Sequence, residues 1–458
     1  MIFQQILNEE QGCLSYLIGC GQCGEAAIVD PARDRVDDYV QMARRKGLSI
    51  THVLETHIHA DHVSGNQALA ARTGARIHLH PSAEAAFAVD PVEDGAEVRL
   101  GNVSLRVIHT PGHTPDSVSL LVTDLSRGTE PWFVLTGDTL FVGDVGRPDF
   151  GGEQAAARLF QSLTTRLLTL PDSVEVYPAH GAGSSCGRAM SSKAGSTIGF
   201  ERRFNSALRA GDKGAFVASL MTDLPVRPPS FDLIVGKNRG TIPLQTAKPR
   251  PYSAREAWEA IRGGAMVLDL RDPGTYGGGH VPGALNVWIE SPQFGERVAA
   301  FVTPGVPLLV VADGPSDLDR ALQGLVRVGV DDVVGSLQWG MIDWRSENLP
   351  LETVPQITVH ELEDWMDEHR DVVVVDVREP SEWMEGHIPS AFHVPMLEAL
   401  RRQDELPRER PKAVLCAGGL RSSTVISALT RHGITNWYNV TGGMTAWLKA
   451  GYPVTKQR

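Results

Sequence analysis

An α/β protein is predicted: a layered sandwich over residues 1–245, then two copies of a smaller α/β domain at 250–350 and 356–458. Three observations carry this. The first part mixes alternating and fully apolar strand-like runs with helical stretches between some of them, as layered sheets require. A repeat offset by 107 residues divides the rest of the chain. Each copy of that repeat reads helix, buried strand, loop, helix, strand, the order of a parallel sheet covered by helices.

The chain has 458 residues, 42% of them hydrophobic, enough for two to four domains with their own cores. Acidic residues outnumber basic ones, 55 to 43, for a formal net charge of −12. That balance excludes a broad nucleic-acid footprint, which needs a basic face. The start, "MIFQQILNEEQGCLSYLI", lacks the basic-then-apolar order of a secretory signal. No run approaches the ~18 apolar residues of a membrane span. Five scattered cysteines do not make a disulfide framework. The expectation is a soluble protein of a reducing compartment, the cytoplasm.

In the first part, "AAIVDP" and "HVLETH" read as buried strands ending in functional loops. "RIHLH", "VSLRVIHT", "SVSLLVTD" and "WFVLTGD" follow as strands, and 153–170 as a helix. In the repeat, "LDLRDPGTYGGGHVPGALNV" (268–287) and "VDVREPSEWMEGHIPSAFHV" (375–394) agree at eight of twenty positions without a gap. The agreement pairs Asp269 with Asp376, Arg271 with Arg378, and His280 with His387. Each copy opens with a proline shortly before a residue fit to cap a helix, Ser253 or Thr358.

The stretch "THIHADH" crowds His57, His59, Asp61 and His62 onto one turn after a strand. Further along, His113 in "PGHT", Asp138 in "TGDT" and His180 in "PAHG" also fall at strand ends, each with glycine nearby. One histidine is usually a satisfied core residue; this constellation is not. Imidazoles and carboxylates together suit zinc, iron or manganese, and seven such groups could hold one metal or two.

These motifs resemble the metallo-β-lactamase superfamily, whose fold is an αβ/βα sandwich. The longer stretch "TGDTLFVGDVGRPDF" is similar to its persulfide dioxygenase branch, and glyoxalase II-like hydrolases share the ligand set. In the hydrolases, all seven residues hold two metals, with Asp138 shared. The dioxygenase resemblance implies one Fe(II) per chain, held by His57, His113 and Asp138. His59, Asp61, His62 and His180 would then orient those ligands and pass protons. Two zinc ions are the alternative.

In the second repeat, "AVLCAGGLRSS" puts Cys416 after an apolar strand and before a glycine-rich turn and helix. Backbone N–H groups and a helix N-terminus aimed at the sulfur favour an anionic thiolate or persulfide, and Arg421 adds positive charge at the rim. Four residues separate Cys416 from Arg421, fewer than a phosphate cradle needs. This loop, with "VDVREPSEWMEGHIPSAFHVP" and "GGMTAW", looks like rhodanese, which implies that Cys416 carries sulfane sulfur. The first copy reads "LLVVADGPSDLD" there, with Ala312 or Asp313 at the nucleophile's place and no closing arginine. It resembles an inactive rhodanese, expected to serve as packing between its neighbours.

Two further thiol sites are weaker. Cys186, six residues past His180, is either an incidental loop thiol or a sulfur acceptor near the metal. Cys20 and Cys23 form a C-x-x-C in an expected hairpin turn, without the second pair of a zinc knuckle, and read as incidental.

The resemblances together imply a metallo-β-lactamase-type sandwich followed by two rhodanese-type α/β domains, as in persulfide dioxygenase–rhodanese fusions of bacterial sulfide detoxification. Iron-dependent oxidation of a small persulfide to sulfite, linked to thiosulfate through Cys416, is the implied activity. The rivals are a dizinc thioester hydrolase with an accessory rhodanese and a sulfur-trafficking protein without turnover. The expected partners are persulfide, dioxygen, sulfite and thiosulfate, with no nucleic acid and no membrane; a homo-oligomer is left open.

Overall fold

The computed structural model describes residues 1–8, 12–148, 151–181, 190–222, 227–244 and 249–456. Residues 1–244 head one compact unit, and the two repeats form the other.

The first unit holds two six-stranded sheets among the described residues. In the first, the strands run in chain order from Ile2–Asn8 through Cys13–Cys20, Glu25–Val29, Ser49–Leu54 and Arg76–Leu79 to Asp90–Pro91. The second is ordered Ser196–Thr197, Glu175–Pro178, Phe133–Gly137, Val118–Asp124, Val103–His109, Glu97–Leu100. Their facing sides share one core that includes Tyr16, Ile18, Val29, Leu54, Leu105, Leu120, Phe133 and Leu135. Helices cover both outer sides. Tyr39 and Val40 of the helix Val36–Arg45 pack with Leu17, Ile28 and Val53, and Leu159 of Gly152–Ser162 packs with Val134 and Val176. This is the αβ/βα layering expected of the chain. The helix expected over 153–170 continues past Ser162 as a π-helical turn, Leu163–Leu167.

Layering explains the strand patterns. Cys13–Cys20 is buried along its whole length because one face meets the opposite sheet and the other meets helices. The ends of Glu25–Val29, Ser49–Leu54 and Phe133–Gly137 carry Asp30, Glu55 and Asp138 within two residues, so loops from both sheets meet at one edge of the sandwich.

Each repeat is a five-stranded parallel sheet. The first is ordered Arg250–Tyr252, Val333–Leu337, Leu308–Val311, Met266–Asp269, Leu285–Asn286. The second repeats that order with Gln356–Ile357, Trp437–Val440, Lys412–Leu415, Val373–Asp376 and Phe392–His393. Ser253 and Thr358 each form a reciprocal capping box with the glutamate three residues on.

The residues shared by the copies are structural staples. Arg271 Nε and Nη2 bind the Asp269 carboxylate at 2.9 and 2.5 Å, and Nη2 also donates to the Gly279 carbonyl. In the second copy Arg378 holds Asp376 at 3.0 and 2.7 Å and donates to the Gly386 carbonyl. His280 stacks on Tyr276, and His387 on Trp383 at a 3.4 Å centroid distance. A buried, hydrogen-bonded ion pair is costly to break on one side only. No helix among the described residues is long and apolar enough to cross a membrane.

Arg378→Met should leave the Asp376 carboxylate buried and unpaired, destabilising the second repeat by about 3–5 kcal/mol. A urea titration followed by near-ultraviolet circular dichroism should show an earlier transition. An unchanged midpoint would show that the pair contributes nothing.

Candidate functional site

The metal-philic residues sit where strand ends of the two sheets meet. Asp30 follows the strand Glu25–Val29 with a positive φ of 50°. Its carboxylate accepts the Thr56 N–H at 2.7 Å and the Thr56 hydroxyl at 2.9 Å, which fixes the chain just after Ser49–Leu54. With its proton given to Asp30, Thr56 Oγ1 accepts from His57 Nδ1 at 3.0 Å. The His57 proton is thus on Nδ1, and Nε2 keeps a lone pair. His113 is held likewise, with Nδ1 donating to the Arg147 carbonyl at 2.8 Å.

Asp138 follows the strand Phe133–Gly137 of the other sheet. Its Oδ2 lies 3.9 Å from His57 Nε2 and 3.5 Å from His113 Nε2. That oxygen is buried and takes part in no hydrogen bond among the described residues, whereas Oδ1 meets His180 Nδ1 at 2.7 Å. One ligand atom from each of His57, His113 and Asp138 falls within a 4.8 Å cluster. A buried anionic oxygen facing two imidazole lone pairs is expensive without a cation between them, so these residues fit a divalent metal. Gly146 is obligatory beside them, because a Cβ there would collide with the Asp138 carbonyl oxygen.

The electrostatics agree. Burial, reinforced by the neighbouring positive His59, keeps the His57 pKa well below that of an ordinary histidine, so the ring is neutral as a ligand must be. Burial alone would raise the Asp138 pKa, but His180, His57 and His113 around it hold it below the usual carboxylate range.

The other four sequence-predicted residues lie against protein groups, although both ring nitrogens of His59 and Nε2 of His62 make no hydrogen bond among the described residues. His59 Nε2 turns to Asp30 at 3.2 Å and Glu55 at 3.3 Å. Burial would discharge that ring, yet the two carboxylates lift its pKa well above the ordinary value. Asp61 meets His62 Nδ1 at 3.2 Å, His180 Nε2 at 2.8 Å and the Cys13 thiol at 3.3 Å. The seven residues therefore divide into the His57–His113–Asp138 group, a His59 group with Asp30 and Glu55, and an Asp61–His62 group with Cys13. His180 bridges Asp138 to Asp61.

Sequence reasoning missed Asp30, Glu55, Cys13 and Asn238. Asp30 and Glu55 were visible at strand ends but lie outside any ligand spacing. Asn238 had no signal at all: from the helix Phe231–Arg239 its Nδ2 donates to the His59 and His62 carbonyls, both at 2.8 Å, and its Oδ1 accepts from Ser64 N–H. Cys186 lies outside the described residues. In the expected hairpin turn, Cys20 is buried in the inter-sheet core and Cys23 is exposed.

Cys416 is buried between the strand Lys412–Leu415 and the helix Leu420–Thr430. Its Sγ accepts the Gly419 N–H at 3.1 Å. The loop is held from behind, since Cys416 and Ala417 carbonyls accept from Met444 and Thr445 N–H at 2.8 and 3.0 Å. This explains the "GGM" motif: Gly443 has φ +49°, and a Cβ there would strike the Cys416 carbonyl oxygen. Arg421, expected to add positive charge at the rim, is clamped by Glu382 through two bonds of 2.6 and 2.7 Å.

In the first copy Ala312 is the counterpart of Cys416. It directly follows the strand Leu308–Val311, and its carbonyl oxygen lies 3.1 Å from where a Cβ on Gly340 would sit. The next helix starts at Pro315, three residues on, against four in the second copy. The copy has neither the thiol nor the full loop.

Comparison with known proteins follows this division. The metallo-beta-lactamase superfamily model matches residues 9–180, and the rhodanese-like domain model matches 253–347 and 358–450. The human mitochondrial persulfide dioxygenase ETHE1 is 30% identical over 192 residues, covering 39% of this chain and 68% of that protein. A hydroxyacylglutathione hydrolase of Polaromonas is 38% identical over 169 residues, 36% of this chain and 61% of that protein. A crystal structure of a metallo-beta-lactamase from Staphylococcus aureus superposes with a TM-score of 0.65 at 32% identity, covering 74% of this chain and 98% of that one.

Asn238→Ala removes three hydrogen bonds from the histidine loop, each worth about 1 kcal/mol. The variant should fold yet lose bound metal to a chelator several times faster than the unsubstituted protein. Equal release rates would show that the loop holds its shape without Asn238.

Proposed function

The chain belongs to the metallo-β-lactamase superfamily and continues into two rhodanese-like domains, and on that premise we propose that it oxidises a small persulfide to sulfite and transfers sulfane sulfur at Cys416. Bacterial-type sulfide detoxification in the cytoplasm is the setting this reading implies. In the first reaction one persulfide, one dioxygen and one water give one thiol, one sulfite and two protons. The sulfane sulfur loses four electrons, which dioxygen takes up.

One observation carries the reading: Asp138 Oδ2 makes no hydrogen bond among the described residues and faces the Nε2 atoms of His57 and His113, whose Nδ1 atoms are engaged by Thr56 and the Arg147 carbonyl, while Asp61 is hydrogen-bonded to both His62 and His180. Two imidazoles and one carboxylate are the donor set of mononuclear Fe(II) oxygenases, so His57, His113 and Asp138 would hold an iron that would supply the activation of dioxygen. Around it this chain's residues have separate tasks. Thr56 and the Arg147 carbonyl orient the two imidazoles. His180, with its nitrogens against Asp138 and Asp61, holds a proton between two carboxylates next to the site.

At Cys416 the thiolate attacks the outer sulfur of thiosulfate. The sulfur–sulfur bond of thiosulfate breaks, sulfite leaves with the bonding pair, and Cys416 becomes a persulfide. The reverse step, with sulfite as acceptor, gives thiosulfate and restores the thiolate. The Gly419 N–H steadies the sulfur in either direction.

The likeness to a hydroxyacylglutathione hydrolase favours a second reading, a dizinc thioester hydrolase, since all seven residues of a two-metal site are present. Metal analysis separates the two. Anaerobically purified protein should hold about one iron per chain and consume oxygen only with persulfide, and His57→Ala should abolish both. Two zinc ions, no iron and rapid thioester hydrolysis would establish the second reading instead.

Cys416→Ser should eliminate sulfur transfer from thiosulfate to cyanide while persulfide-dependent oxygen uptake persists, because no metal-site residue lies in the repeats. Retained transfer in that variant would move the carrier to another thiol.

A further inference from the structure

The charge balance at Cys416 is incomplete within its own domain. Thiosulfate and sulfite are dianions, yet Arg421, the arginine of the cysteine loop, has two guanidinium nitrogens engaged by Glu382 at 2.6 and 2.7 Å. Neutral loop N–H groups remain, with Gly419 N–H already on Sγ.

A second arginine, on the first copy, feels the charges of this site. Arg297 lies on the short helix Phe294–Ala299. Its Nη1 is buried and has no hydrogen-bond partner among the described residues. Burial and the positive Arg421 both lower its pKa, whereas Cys416 raises it, so its guanidinium lies within electrostatic reach of both. A buried guanidinium nitrogen without an acceptor is expensive, and a neighbouring arginine makes it more so. An oxyanion bound there would relieve both costs.

The two copies pack together close to this segment. Asn286, at the end of the strand Leu285–Asn286, donates its N–H to Ser427 Oγ at 2.9 Å and accepts from Ser423 and Thr424 hydroxyls at 2.5 and 2.9 Å. Those three residues lie on the helix that begins immediately after the cysteine loop. The chain that leads from Asn286 to Arg297 is therefore anchored to the element that positions Cys416.

We propose that the degenerate copy supplies part of the second copy's substrate site: Arg297 binds the oxyanion end of thiosulfate or sulfite while Cys416 handles the sulfane sulfur. This rests on Cys416 as the sulfur carrier, and it gives the thiol-less copy a binding role beyond packing.

The test uses the full chain and reads Cys416 without requiring turnover. Its alkylation by anionic iodoacetate and by neutral iodoacetamide is followed by mass spectrometry of the Cys416 peptide. Arg297→Gln should lower the iodoacetate rate relative to iodoacetamide roughly tenfold, with the iodoacetamide rate unchanged, and Arg297→Lys should keep most of the anion preference. The KM for thiosulfate should rise by a similar factor, with a smaller change in kcat. An unaltered rate ratio in Arg297→Gln overturns the proposal, as does a parallel fall of both rates in the Gln and Lys variants, which assigns Arg297 to packing. If the anion preference depends on Arg297 but the unsubstituted protein transfers no sulfur, the anion site stands and the carrier reading fails.

Discussion

One buried carboxylate organises the metal edge of the sandwich. Asp30 binds the Thr56 backbone and hydroxyl and approaches His59 to 3.2 Å, so it acts on three groups of the histidine turn at once. Through Thr56 it sets which nitrogen of His57 carries the proton; through His59 it draws one imidazole away from Asp138. An apolar residue at position 30 would leave Thr56 N–H and the Thr56 hydroxyl without their acceptor and the charged His59 with Glu55 alone, in a region too buried for water to compensate. The ligand geometry of His57 is thus a consequence of a residue 27 positions earlier.

The seven metal-philic residues show how a shared ligand set can present different sites. Ligand type alone allows one ion or two. Partner choice discriminates: Glu55 and Asp30 compete for His59, and Cys13 and His180 for Asp61. A metal taking Asp61 would have to compensate for breaking its charge-assisted hydrogen bonds with His180 and His62, which are worth more than neutral ones. Asp138 Oδ2, like both ring nitrogens of His59, makes no such hydrogen bond among the described residues.

The two repeats separate what a fold needs from what a reaction needs. Both keep the buried Asp–Arg pair and the histidine stacked on an aromatic ring, since losing either would leave unpaired charge or an exposed ring face in the core. Only the second keeps the thiol, the longer loop and the arginine that follows it. The first copy's Ala312 fills the nucleophile's place without disturbing the sheet. Freed from that chemistry, the first copy still shapes its sibling, through Asn286 on the helix after Cys416.

The sequence by itself determined the architecture, the repeat and the identity of the chemical side chains. Strand periodicity, the 107-residue offset and the spacing of "THIHADH" are local or pairwise signals, and local signals survive without coordinates of anything else. Tertiary structure alone decided which donors meet. That His59 answers to Asp30 and Glu55, that Asn238 clamps the histidine loop, and that Glu382 occupies Arg421 all depend on residues 4 to 179 positions apart converging in space. Hydrogen bonds and ion pairs are directional and act over a few ångströms, so their pairing follows from the packing of the sheets and leaves no periodic trace along the chain.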